Sequence, residues 1–542
     1  MVNKILNHRS RTIFSAAFVL GIAALASRLL GLIRDRLLAG RFGAGDELDI
    51  YFAAFRLPDL IFNILVLGAI SSAFIPVFAE YFHRDKKEAW ILVNKVLNLA
   101  ILACIILAGF LAIFTPQLMY LIAPGFTGSK RALTILLTRI MFLSPVLLGI
   151  SSIFSGVVQY FQRFLVYSLA PIMYNLGIIL GFFIFVPIWG IIGLAWGVVF
   201  GAFLHMLIQL PSAVYSGFKW KVVLNFSDKG IGKIFKLMIP RTMGLAGLQI
   251  NFLVITAIAS TLASGSITIF NFANNIQYVP IGILGIAFAT ALFPALSKAF
   301  VKQEKEEFSR DFSRTFSQTL FLIIPLSALF FILRAQIVRV ILGTGQFSWI
   351  DTRLTAAALG IFSLSIFAQS LIPLISRAFY AFQNTRTPVL VSLVSILINI
   401  IFSFVFVWIL KFSATSVSLF SEILKLKGIK ELTILGLPLA FSLANIVNFI
   451  ILLRLFAKKI NWWQPKYVLN SCAKIILATL LAGLTAYACL YVLALILDTH
   501  TFIGIFFQAF IAAVIGLIIY FVTTFLLKSP EAMGLIRKIF KR

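Results

Sequence analysis

Apolar runs of about 20 residues, enough to cross about 30 Å of hydrocarbon as a helix, recur from residue 12 to residue 527. Short segments that hold most of the lysines and arginines separate them. The runs are built from Leu, Ile, Val, Ala and Phe without strict alternation, so they predict helices and exclude an outer-membrane barrel, whose strands alternate polar and apolar positions. Spans are expected near 12–38, 48–82, 89–115, 131–161, 167–187, 191–216, 233–263, 266–300, 312–343, 354–383, 387–411, 434–457, 469–496 and 502–527. That predicts an all-α polytopic membrane protein with about 14 transmembrane helices. Pro58, Pro145, Pro240, Pro280, Pro325 and Pro373 mark expected kinks, because proline removes a helical donor and crowds the preceding turn.

Composition sharpens this picture. Of 542 residues 61% are hydrophobic and 12% charged, and the mean hydropathy is +1.04. In a soluble chain the net charge of +28 would point to nucleic acid, but here the cations sit in the loops of a membrane protein and no nucleic-acid partner is expected. Roughly 26 Lys and Arg fall on the side of segments 1–11, 83–88, 217–236, 298–310, 454–466 and 528–542, against roughly 8 opposite, which places both termini in the cytoplasm. The basic N-terminus lacks a small-residue cleavage site and reads as a retained first helix. Segment 217–236 reads equally as a headgroup-plane helix or a cytoplasmic loop, and 413–433 as an external amphipathic insertion.

Cys104, Cys472 and Cys489 lie in apolar runs, and His8, His83, His205 and His500 are scattered. No metal-like spacing, nucleophile set or phosphate-binding loop emerges. No metal, cofactor or enzymatic activity is expected.

An internal echo organises the spans. AFIPVFAEYF at 73–82 returns as ALFPALSKAF at 291–300, YFQ at 160–162 as AFQ at 381–383, and SRLLG at 27–31 as PRTMG at 240–244. The nearly constant spacing argues for duplication, with six spans between copies and hence equal orientation in the membrane. This predicts two parallel six-helix lobes, 11–217 and 232–460, around a central cavity, with two further helices over 468–528.

Against this apolar background, charge concentrates in the first two spans. Arg28, Arg34, Asp35, Arg36, Asp49, Arg56 and Asp59 lie at expected membrane depth, where each costs at least about 2.5–3.5 kcal/mol at a helix centre unless it faces water, a partner or a ligand. Residues seven apart share a helix face, which pairs Arg28 with Asp35 and Asp49 with Arg56, while Asp59 and Asn63 extend the second stripe. Arg34 points elsewhere on the first helix. An excess of arginine forks suits pyrophosphate oxygens, so Arg28, Arg34 and Arg56 are candidate clamps, and Asp35 and Asp49 their counterweights. The competing reading makes Arg28–Asp35 and Arg56 with Asp49 or Asp59 structural ion pairs. The second lobe carries amides, Asn275 among them, which more often bridge helices than bind ligands. Arg139, Arg241 and Arg377 are isolated and read equally as cavity-lining or helix-end residues.

The segments SRLLGLIRDRLLAGRFGAG, D-x-x-F-x-A-F-R-L-P and LGAISSAFIPVFAEY, followed by APGF (123–126), LASGS (262–266) and LFPALSK (292–298), resemble the MurJ (MviN) lipid II flippases. That family belongs to the multidrug/oligosaccharidyl-lipid/polysaccharide exporter superfamily. The resemblance implies a cytoplasmic-membrane protein that moves the undecaprenyl-pyrophosphate-linked peptidoglycan precursor from the inner to the outer leaflet by alternating access, serving cell-wall biogenesis and cell shape. It also implies cavity arginines at Arg28 and Arg34, the second-span acid at Asp49 and the basic residue before Leu-Pro at Arg56. It further implies a lipid-tail groove in the last two spans. The chain departs from the family at ANNIQYVP (273–280), where Asn274, Asn275 and Tyr278 replace charged positions. Arg241 or Arg377 compensates, or the amides suffice, or the headgroup differs. The alternative function is export of another polyprenyl-linked glycan. Expected partners are the lipid substrate and membrane lipids, and the expected state is a monomer.

Overall fold

The computed structural model describes residues 13–64, 71–224, 228–429, 431–460 and 465–534, with the side chains at 13–18, 71–73, 235, 237–246 and 465–467 set aside. The described residues are helical, without strands. Two compact units emerge, one of residues 1–38 with 45–267 and the other of 39–44 with 268–542.

The first unit begins with α1 (Ile13–Phe42), α2 (Asp46–Ala54), α3 (Arg56–Ile61), α4 (Ser71–Arg84) and α5 (Lys86–Ile122). It continues through α6 (Gly128–Met141), α7 (Leu143–Tyr160), α8 (Phe164–Ile184), α9 (Ile191–Leu207), α10 (Leu210–Tyr215) and α11 (Lys229–Ser260). The second unit contains α12 (Ser266–Pro280), α13 (Ala287–Val301), α14 (Lys305–Ile332), α15 (Arg334–Leu342), α16 (Trp349–Ser363) and α17 (Ile366–Ala381). Its remaining helices are α18 (Arg386–Phe412), α19 (Ala414–Ile423), α20 (Gly436–Lys459), α21 (Pro465–Ala494) and α22 (Phe502–Leu526).

Among the described residues ten helical segments are long and apolar enough to cross a membrane, or eleven if α16 and α17, bent by 43°, form one span. This establishes a polytopic helical membrane protein but not the expected count of fourteen. The expected second span shows why. Its helix breaks at Phe55, where Pro58 withholds a donor from the preceding turn, and turns π-helical over 62–64. The first span is helical but carries the charges that a plain apolar span lacks. Pro145 and Pro280 also sit at breaks, the second opening a π-helix over Ile281–Ile286, whereas Pro325 and Pro373 lie inside continuous helices. The Pro240 side chain lies outside the described residues.

Several helices close on a left-handed residue, Gln303, Lys425 and Lys528 as well as the two echoed glutamines. Gln162 and Gln383, the last residues of YFQ and AFQ, take left-handed conformations with φ 59 and 57. Each is followed by an amide that closes back on the helix end, Arg163 N to Val158 O at 3.0 Å and Asn384 N to Phe379 O at 3.0 Å. The two echoes are the same helix stop.

Backbone proximity organises α8 and α9. A Cβ on Gly177 would collide with the Gly201 backbone, and one on Gly181 with the Gly197 backbone, so GIILG and GVVFG face each other as small-residue seams. In the second unit Gln346 N donates to Gly40 O at 2.9 Å, and Gly345, at φ +56, lies against the same carbonyl. The last turn of α1 thereby joins that unit.

At the start of α11, Asp228 accepts from Lys95 Nζ at 2.6 Å, Gly230 N at 2.8 Å and Tyr81 Oη at 3.2 Å. Burial pushes its carboxyl up, but the Lys95 ammonium and the two other donors outweigh burial and hold it below its ordinary 3.8. A carboxyl depressed on folding contributes stability above its unfolded pKa and loses it as pH falls through the folded value. The stability difference between the wild type and Asp228→Asn is therefore expected to be constant from neutral pH to about pH 5, to shrink as pH falls below about 4, and to vanish only once pH is below the folded value. Thermal unfolding in detergent across that range measures it.

Candidate functional site

The first unit gathers seven of the eight candidate residues. Gly43, at φ +64, ends α1, and Gly45 opens α2 in extended backbone. Three acids, Asp46, Glu47 and Asp49, then fill the first turn of α2, where the helix dipole favours negative charge. The Pro58 break swings Arg56 onto the separate helix α3. The residues expected to share one stripe on one helix are therefore divided, and Asp49 and Arg56 find partners outside it.

Arg34 is the centre of the site. Its Nε and Nη2 donate to Asp35 Oδ1 at 3.1 and 2.8 Å, and its Nη1 donates to Asn175 Oδ1 on α8 at 3.2 Å. Asn175 Nδ2 in turn donates to Ser27 Oγ at 3.2 Å, on α1. Arg34 thus does not point away from Asp35. The long side chain folds back over one residue because Asn175 anchors its other edge. Asp35 is 3% exposed and the Arg34 side chain 21%, so the carboxylate is sealed while part of the arginine side chain stays accessible.

Arg56, buried, donates from Nε to Thr256 Oγ1 at 2.7 Å and lies over the Phe252 ring at 5.5 Å, both on α11. Asp49, also buried, accepts from Gly265 N at 2.8 Å. Its neighbour Asp46 accepts from Ser264 Oγ at 2.6 Å and Lys130 Nζ at 2.5 Å. The D-x-x-F and LASGS segments, 216 residues apart between Asp49 and Gly265, therefore meet, with two carboxylates binding the turn after α11. Asn63 Nδ2 donates to the Asp59 carbonyl at 2.8 Å. The Asp59 carboxylate lies in the field of both Arg56 and Arg34, and Tyr51 and Tyr174 share the field of Arg34 and Asp59. Arg28 is half-buried on α1.

Asn275 lies half-buried on α12 in the second unit. Beside it runs a chain of amides and hydroxyls, from Asn274 to Gln277 at 3.0 Å, Gln277 to Gln369 at 3.0 Å and Gln369 to Ser365 at 2.9 Å. These amides bridge helices, as the apolar setting favours. Arg139 donates to the Ala112 carbonyl at 3.0 Å, Arg377 lies over Phe293, and the Arg241 side chain is outside the described residues.

Sequence reasoning missed Asn175, Tyr174, Tyr51 and Thr256. Asn175 carried a signal, an amide within the otherwise apolar run after 166, whereas Thr256 carried none, since threonine is common in such helices. A buried chain from His205 through Ser151 and Gln209 to Ser155, with contacts of 2.7, 2.6 and 2.6 Å, was equally silent.

Chemically, the site offers a guanidinium oriented at both edges, on a side chain that stays partly exposed, beside sealed carboxylates. It suits recognition of an anion. Comparison with known proteins shows the family. Residues 38–511 match the family described as Lipid II flippase MurJ.

The chain belongs to the MurJ family. It is 30% identical over 515 residues to the probable lipid II flippase MurJ of Buchnera aphidicola subsp. Acyrthosiphon pisum, covering 92% of this chain and 94% of that one. To the lipid II flippase MurJ of Burkholderia cenocepacia it is 27% identical over 409 residues, covering 73% and 78%. The fold is similar to a solved lipid II flippase MurJ in an inward closed conformation, with TM-score 0.75 and 24% identity over 97% of this chain and all of that one. It is also similar to an inward-facing multidrug resistance transporter of the MATE family, with TM-score 0.66 and 14% identity over 80% and 94%. MurJ membership and the apolar helices together make this a multi-pass inner-membrane protein of a transporter family.

Proposed function

We propose that this chain moves lipid II, the undecaprenyl-pyrophosphate-linked peptidoglycan precursor, from the inner to the outer leaflet of the cytoplasmic membrane by alternating access. It does so as a monomer with both termini in the cytoplasm and without a catalytic step of its own. The repeat halves 11–217 and 232–460 serve as the two lobes, and 468–528 receives the lipid tail. Arg28, Arg34 and Arg56 bind the pyrophosphate. Asp35, Asp49, Asp59 and Asn63 set their charge and orientation, and Asn275 contributes from the second lobe.

The observation that carries this reading is the partly exposed Arg34 side chain, its guanidinium oriented by sealed Asp35 and by Asn175. Family membership names the substrate class for its relatives, and the fork matches the charge and planarity of a phosphate oxygen pair.

The test is outer-leaflet accessibility of lipid II in cells depleted of their own flippase and expressing this chain. Restored accessibility is the expected result. Failure of well-inserted protein, with accumulation of a different lipid-linked intermediate in its native host on depletion, would replace lipid II with another polyprenyl-linked glycan.

A further inference from the structure

Two polar rings of the first unit, Tyr174 and His205, adjoin the Arg34 site without contributing to its ion pair. Asn175 on α8 holds Arg34. Its neighbour Tyr174 lies in the field of Arg34 and Asp59 and meets the His205 ring of α9 edge to face, with centroids 6.4 Å apart. The glycine seam makes this approach possible, since a Cβ added at Gly201 would lie 3.3 Å from Tyr174 Cδ2.

A histidine at membrane depth is rare and ordinarily marks a pathway or a ligand. At about 100° per residue His205 stands about 200° around α9 from both Phe203 and Leu207. Those two are 39% and 41% exposed and mark the side that belongs against hydrocarbon. His205 therefore points away from the bilayer and into the unit.

Three side chains fix this one ring. Ser151 Oγ lies 2.7 Å from His205 Nδ1, Gln209 Nε2 donates to Ser151 Oγ at 2.6 Å, and Ser155 Oγ donates to Gln209 Oε1 at 2.6 Å. The Ser151 hydroxyl has a single hydrogen to give. The His205 carbonyl, 3.1 Å from Ser151 Oγ, already accepts from Gln209 Nε2 at 3.1 Å. The hydrogen therefore goes to the closer Nδ1, which leaves the ring hydrogen on Nε2. Among the described residues nothing bonds to His205 Nε2 or to the Tyr174 hydroxyl, and neither atom is sealed.

The unit thus holds an oriented imidazole N–H and a free phenol hydroxyl beside its guanidinium. A phosphate is served by the arginine fork. A sugar hydroxyl, which both donates and accepts, is matched by uncharged groups of this kind, and the Tyr174 ring offers apolar surface to the C–H face of a pyranose.

We propose that Tyr174 and His205 bind the sugar joined to the pyrophosphate of the lipid substrate, His205 Nε2 donating to a sugar hydroxyl and Tyr174 setting its hydroxyl and ring against the same sugar. On the lipid II reading, on which this rests, Arg34 recognises the charge common to every polyprenyl pyrophosphate. The Tyr174–His205 pair recognises that a glycan is attached, and so distinguishes the loaded carrier from the bare one.

The test uses the full chain in detergent, titrated with lipid II and with undecaprenyl pyrophosphate, which has the same tail and pyrophosphate but no sugar, bound lipid being counted by native mass spectrometry. The wild type is expected to bind lipid II at least about tenfold more tightly, the worth of two neutral hydrogen bonds. Tyr174→Phe and His205→Ala are each expected to lower lipid II affinity about fivefold, the worth of one such bond, with undecaprenyl pyrophosphate binding unchanged. His205→Gln, which returns an N–H, is expected to recover part of the loss. Ser151 keeps the carbonyl of residue 205 in these variants. Tyr174→Phe removes only a hydroxyl that the described residues leave free, so it stands in if the His205 variants do not fold. Arg34→Ala is expected to weaken both lipids alike.

Equal affinity of the wild type for the two lipids, or variants that weaken both lipids equally, would overturn the proposal. So would variants that leave a wild-type preference for lipid II intact, and that result overturns the pair alone while the lipid II reading stands. Folded wild type that binds neither lipid would overturn both.

Discussion

Arg34→Ala is expected to reduce lipid II flipping by at least about a hundredfold, roughly the factor that a loss near 3 kcal/mol of charge-assisted binding produces, while the protein still inserts. Two effects act together. The substitution removes the guanidinium, and it takes the Arg34 partner from the Asp35 carboxylate, 3% exposed, where breaking a buried pair costs about 3–5 kcal/mol. The double variant Arg34→Ala with Asp35→Ala separates them. A clamp arginine predicts that the double variant inserts with restored thermal stability but remains inactive. A purely structural ion pair predicts recovery of both. Arg34→Lys keeps the charge and loses the fork, and is expected to retain partial activity. Outer-leaflet accessibility of lipid II, read beside thermal stability in detergent, supplies both measurements. Recovered flipping in the double variant would remove Arg34 from the pyrophosphate site.

Gly177→Leu is expected to eliminate the folded protein. Any side chain at this position meets the Gly201 backbone of α9, and backbone cannot yield as a flexible side chain can. Overpacking of one or two methylenes costs about 1–3 kcal/mol where neighbours adjust, so Gly177→Ala should lower stability by at least that amount, and leucine should separate the two helices. The loss spreads to function because α8 carries Asn175 two residues earlier, and Asn175 holds the far edge of Arg34. Gly109→Ala is the control. It lies in α5 with no atom within 4 Å of an added Cβ, and alanine there should be neutral or stabilising, since it reduces the freedom of the unfolded chain. Thermal unfolding of the three variants in detergent tests the ranking, and a stable Gly177→Leu would refute the contact.

Several features of this protein were legible in the residues alone. Helices follow from apolar runs because an unpaired peptide group in hydrocarbon is too costly to tolerate. The candidate site was legible as a region, because charges at membrane depth require a reason.

Partner choice was not legible. Helical periodicity assigns faces on an ideal cylinder, but Pro58 breaks the cylinder between Asp49 and Arg56, so the expected stripe divides. Asp49 turns to Gly265 and Arg56 to Thr256, more than 190 residues onward. Arg34 pairs with its neighbour Asp35 while Asn175, from another helix, takes the remaining nitrogen. The count of spans also lay beyond pattern, since charge and helix breaks blur what length and hydropathy define.

The sequence by itself determined the class of fold, the membrane setting and the neighbourhood of the site, since these follow from burial energies that each segment carries locally. Only the tertiary structure decided which donor meets which acceptor. Hydrogen bonds and ion pairs depend on placement within a few tenths of an ångström, and that placement comes from helices brought together across the chain, down to two glycine seams where backbone touches backbone.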